Sequence, residues 1–202
     1  MSDQIKPLES VRAAHEEEYY LRQNQALIAK MRDRLAKEAA ALALEERSGV
    51  HDPQLLSWLA ELGVTADHVP ILHLVPLIQV AWADGTLQDE ERVMLEKAAA
   101  EAGVTPDSPA HAVLAALLNE RPKVEFYDAA LMYVRTLVAA MSDADAHNAR
   151  ENLLSLARQV AKASGGLFGL FPSVGDAERS ALQKIAAQLE ARPAASGLAQ
   201  NI

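Results

Sequence analysis

Val80-Ala81-Trp82-Ala83-Asp84-Gly85, followed after Thr86 by Leu87-Gln88-Asp89-Glu90-Glu91-Arg92, is a stretch that the chain uses twice. Its first half returns as Val160-Ala161-Lys162-Ala163-Ser164-Gly165. Its second half returns as Val174-Gly175-Asp176-Ala177-Glu178-Arg179, with Leu182 answering Leu95. Between the halves, the second copy holds an insertion, Gly166-Leu167-Phe168-Gly169-Leu170-Phe171-Pro172. Each copy reads as an apolar helix, a glycine turn and an acidic start to the next helix. Two such units bury a shared core as a pseudo-symmetric pair, so the repeat predicts an all-α protein.

Composition outside the repeat agrees. Alanine and leucine make up 39 and 28 of the 202 residues, and aromatics only 4%. Small and straight-chain side chains lose little freedom in a helix. No stretch alternates with period two for long enough to form a strand. Residues 9–47 contain no glycine or proline and read as one long amphipathic helix ended by Gly49. Leu21, Ile28, Leu35 and Leu42 recur every seven residues, but Asn24, Met31, Glu38 and Glu45 hold the companion positions. A two-stranded zipper is therefore poorly supported, and the stripe is expected to lie across the body.

His51-Asp52-Pro53 reads as an N-cap with proline at the first helical position, opening a short helix to Leu62-Gly63. Asp67 is expected to cap a helix running to Ala83, bent at Pro76. Further helices are predicted over 89–102, 108–119, 124–141, 144–164 and 176–191, for seven or eight in all. The organisation read from these is an N-terminal amphipathic extension over 1–50, a helical body over 51–191 and a flexible tail over 192–202.

The chain has no cysteine, which excludes disulfide scaffolds, thiolate metal sites and cysteine nucleophiles. Its net charge of −9 falls almost wholly beyond residue 50. An acidic body repels nucleic acid and disfavours anionic membrane surfaces, while tolerating cations. No signal-like start and no long apolar span occur, so a cytoplasmic protein is expected. Nucleotide-binding glycine loops, hydrolase motifs and Glu-x-x-His pairs are absent, and no enzyme activity is expected.

The segment Ala83-Asp84-Gly85-Thr86-Leu87-Gln88-Asp89-Glu90-Glu91, behind the apolar run Leu72 to Trp82, resembles the TerB-like tellurite-resistance family. The resemblance covers roughly residues 69–190, and members typically carry the unit twice. It implies an all-helical domain of about seven helices. It also implies a divalent-cation site, Ca²⁺ or another ion, made from acidic residues of both motifs, in a stress or tellurite-resistance setting. A related helical domain occurs in a membrane-anchored DnaJ-type co-chaperone, so the resemblance admits an adaptor as well.

Asp84, Asp89, Glu90, Glu91, Asp176 and Glu178 are the candidate metal ligands, because hard cations need several converging oxygens. The spacing is not that of an EF-hand loop. A structural reading stands beside the metal one. Gln88 sits at an N-cap with Glu91 at N3, and Glu178 holds the same place behind Gly175, where a carboxylate bonds back to the cap amide. Asp89 and Glu90 favour the positive helix terminus. Capping leaves only Asp84 unexplained, and Ser164 stands where a second Asp is expected. Leu167, Phe168, Leu170 and Phe171 of the insertion either tuck between helices or form a contact patch for a protein partner. Two functions follow: a metal-binding stress protein, or an interaction module whose acidic caps are purely structural.

Overall fold

The computed structural model describes residues 6–163 and 175–190, and these are all-α. The described helices are α1 (Lys6–Ser48), α2 (Pro53–Glu61), α3 (Val69–Leu72), α4 (Val75–Ala81), α5 (Asp89–Glu101), α6 (Pro109–Asn119), α7 (Val124–Ala139), α8 (Asp143–Ala163) and α9 (Asp176–Glu190). One 3-10 turn, Ala66–His68, precedes α3. Among the described residues no helix is long and apolar enough to cross a membrane. The chain divides into two compact units, Met1–Ala39 and Ala40–Ile202.

Helix starts follow the chemistry of their first residues. At α2, Asp52 Oδ1 accepts from the amides of Gln54 and Leu55, both at 3.1 Å, with Pro53 next to it. At α8 the cap is Ser142. The Asp145 amide donates to Ser142 Oγ at 3.3 Å, and Ser142 Oγ donates to Asp145 Oδ2 at 2.7 Å.

The predicted single helix from Asp67 to Ala83 is instead three short elements. Its start is set at Thr65, whose amide donates to His68 Nδ1 at 3.0 Å, so Asp67 is not the cap. Pro70 and Pro76 each fall in the first turn of an element, α3 and α4. A proline has no amide to donate and clashes with the carbonyl four residues back, so each begins a helix more readily than it bends one. Turn bonds Leu74 N to Ile71 O and Leu77 N to Leu74 O, both 2.9 Å, carry the chain across the breaks.

The body's core centres on α4. Val75, Leu77, Ile78, Val80 and Ala81 are all buried, and each large side chain contributes about 1.5–3 kcal/mol of transfer free energy. The helix packs on α7, α8 and α9, most extensively on α8. Val80 and Ala81 in the first copy of the repeat, and Val160 and Ala161 in the second, are all buried. The two alanines permit close helix approach.

The residues of the sevenfold stripe of α1 have exposed side chains. Leu21, Ile28, Leu35 and Leu42 show 48% to 67% of their surface. Sevenfold spacing marks an apolar stripe but does not say what meets it. The part of α1 that belongs to the body turns a different face inward: Leu44 is fully buried, and Ala40 and Ala41 pack against the core.

Candidate functional site

The site is built from the two copies of the repeat, beginning with the turn after α4. Gly85 has φ +97°, a backbone conformation that side-chain-bearing residues rarely adopt, and it reverses the chain there. Asp84 closes the same turn, with Oδ1 accepting from the Thr86 amide at 2.9 Å and from Thr86 Oγ1 at 3.1 Å. This local bond explains the one acidic residue that capping left over. Gln88 is extended, and its amide donates to Glu91 Oε2 at 2.9 Å. In the second copy the Gly175 amide donates to Glu178 Oε2 at 2.7 Å. Both glutamates therefore stand at N3 of their helices and satisfy the amide three residues back.

Their second property is not local. Among the described residues Glu91 and Glu178 are the buried charged side chains, 1% and 4% exposed. Their carboxyl groups lie within hydrogen-bond reach of each other. The two copies thus place equivalent carboxyls against one another in the interior. Burial pushes the Glu91 carboxyl up to about 7, against the pull of the Gln88 amide. The charges of Glu178 and Asp84 push in the same direction as burial. At neutral pH the Glu91 carboxyl can therefore carry a proton and offer it to Glu178.

The other acidic candidates do not join them. Asp89 and Glu90 are exposed on the first turn of α5, lining a shallow groove with Val93, Met94 and Ala163. Asp176 is 98% exposed at its side chain and pairs with Arg179 at 3.1 Å. Among the described residues no group of three or more His, Asp or Glu side chains is arranged to hold a metal ion. The donor set that does converge is two buried carboxyls with Asp84 close enough to act on Glu91. Carboxylates with water completing the shell suit a hard cation such as Mg²⁺ or Ca²⁺. Leu167, Phe168, Leu170 and Phe171, like Ser164, lie outside the described residues.

Two residues of the first copy have roles that spacing does not reveal. Trp82 Nε1 donates to the Leu117 carbonyl at 3.1 Å, and Arg92 Nη2 donates to the Leu118 carbonyl at 2.7 Å. Together they satisfy carbonyls at the end of α6, which have no partners within the helix. The second copy has Lys162 in place of Trp82, and its Arg179 turns to Asp176. A half-buried indole N–H needs an acceptor, but only the packing says which.

Compared with known proteins, the chain matches no family model, no curated protein and no solved structure.

Proposed function

We propose that this is a TerB-like, non-enzymatic helical protein of the cytoplasm that binds a divalent cation between Glu91 and Glu178. Asp84 adds its negative charge beside the pair, and the cation serves a stress or tellurite-resistance response. The observation behind this reading is the meeting of two repeat-equivalent carboxyls in the interior. Two buried carboxylates repel each other and lose hydration, so something positive must sit with them. A proton neutralises one of the two; a divalent cation neutralises both. Asp89, Glu90 and Asp176 enter as surface charge that raises the local cation concentration, not as ligands.

A second reading has its own support. Each carboxyl already caps a helix, and among the described residues no third ligand stands with them. On that reading the pair shares a proton, the protein holds no metal, and the module works as an adaptor for a protein partner.

Thermal unfolding at pH 7.5 with millimolar Ca²⁺, Mg²⁺ or Mn²⁺ separates the two. Saturation at about a hundred times Kd stabilises the fold by about 2.7 kcal/mol, a rise of several degrees. Glu91→Gln or Glu178→Gln abolishes the rise under the cation reading. If no ion moves the wild-type curve while Glu91→Gln raises the melting temperature without metal, the proton-sharing reading stands instead.

A further inference from the structure

The apolar stripe on α1 is a feature that the body's chemistry leaves unused. Leu21, Leu27, Ile28, Met31 and Leu35 are between 48% and 62% exposed along one side of the helix. Single exposed apolar residues are ordinary, but five on one helical face form a contiguous patch of the kind that marks an interaction surface. Leu42, 67% exposed, continues the same face into the part of the helix whose opposite side buries Leu44. Where α1 is docked, the stripe already points away from the core.

The charges along the helix say what fits it. Glu17 and Glu18 stand at one end of the stripe, and Arg32 and Arg34 stand at the other. A parallel partner of the same sequence would set Glu38 against Glu38 in the seam, which is unfavourable. An antiparallel partner does not. With the two-fold axis beside Ala26, Leu21 faces the second copy's Met31, Leu27 faces its own counterpart, and Ile28 and Leu35 lie against the stems of Asn24 and Glu17. Glu18 then faces the second copy's Arg32, Tyr20 lies against its Arg34, and Glu38 no longer faces its own counterpart. Each end thus brings acid to base, twice per pair, and Tyr20 offers a ring face to a guanidinium. Residues 17–35 overlap over about 28 Å at 1.5 Å per residue. Arg22–Glu18 at 2.6 Å and Arg34–Glu38 at 2.8 Å are exposed pairs within the helix, which contribute too little to hold these side chains back.

We propose that the exposed stripe of α1 pairs antiparallel with the same stripe of a second copy of this chain, making the protein a homodimer through residues 17–35.

Sedimentation of the full chain up to about 100 μM, the range in which a weak interface of this size is populated, tests the pairing. The expected result is a dimer that Ile28→Glu converts to monomer with unchanged far-UV circular dichroism. Arg32→Glu weakens the dimer about threefold to tenfold, and adding Glu18→Arg restores it. Because the chain has no cysteine, single-cysteine variants report the register cleanly. Leu21→Cys and Met31→Cys proteins, mixed and mildly oxidised, link to each other and not to themselves. A monomer throughout the range overturns the proposal, as does a dimer that Ile28→Glu leaves intact. Self-linking of Leu21→Cys, or failure of the charge swap to restore pairing, overturns the antiparallel register.

Discussion

Glu91 bonds to its own cap amide and meets Glu178, and only the first of these contacts can be read along the chain. The Gln88–Glu91 and Gly175–Glu178 spacings are legible because an N3 carboxylate reaches its cap through three residues of local geometry. The meeting of the two glutamates depends on how helices far apart in sequence are packed. It has a measurable consequence in metal-free protein. Folded, Glu91 keeps its proton to about pH 7, against an ordinary value of 4.5. Between those values the folded chain binds more protons than the unfolded one. The stabilisation from protonated Glu91 is therefore fully present below pH 4.5 and is lost as pH rises through 7. In urea unfolding with a chelator, the wild type should lose on the order of 1–3 kcal/mol relative to Glu91→Gln over this window. Parallel pH profiles for the two proteins would show that Glu91 titrates normally.

At the scale of the element, α4 and α8 bring the two motifs together, and each contributes a buried alanine. Ala81 and Ala161 are 1% and 0% exposed where the helices are in most extensive contact. Ala161→Leu forces extra volume into that contact and should cost about 1–3 kcal/mol in denaturant unfolding. Lys162→Leu, one residue on and exposed, should stay within about 0.5 kcal/mol. Equal effects at the two positions would mean that the helices do not pack through Ala161. The high alanine content is legible as helix, but not as this contact. The break in the predicted 67–83 helix was legible in principle, because Pro70 and Pro76 both suit helix starts. The apolar run between them nevertheless reads as one period. Periodicity locates an apolar face without locating the break.

At the scale of the whole molecule, the buried hydrophobic residues among those described begin at Leu44. Deleting Met1–Ala39 should therefore leave a body that still unfolds cooperatively, with its melting temperature within a few degrees of the full chain. Extending the deletion through Ser48 removes Leu44 and should lower stability by about 2–5 kcal/mol, as loss of a buried leucine does. A shorter truncation that unfolds the body would place part of the core within the first 39 residues. The amino-acid order by itself determined the all-helical class, the duplicated motif, most of the helix boundaries and the two N3 carboxylates. Each of these rests on interactions within a few residues of the chain, such as caps, turns and the periodicity of apolar side chains. Only the tertiary structure decided that Glu91 meets Glu178, that Asp89, Glu90 and Asp176 stay at the surface, and that α1 enters the core by Leu44 and not by Leu42. Those outcomes depend on which helices pack together, and close-packed side chains far apart in sequence settle that.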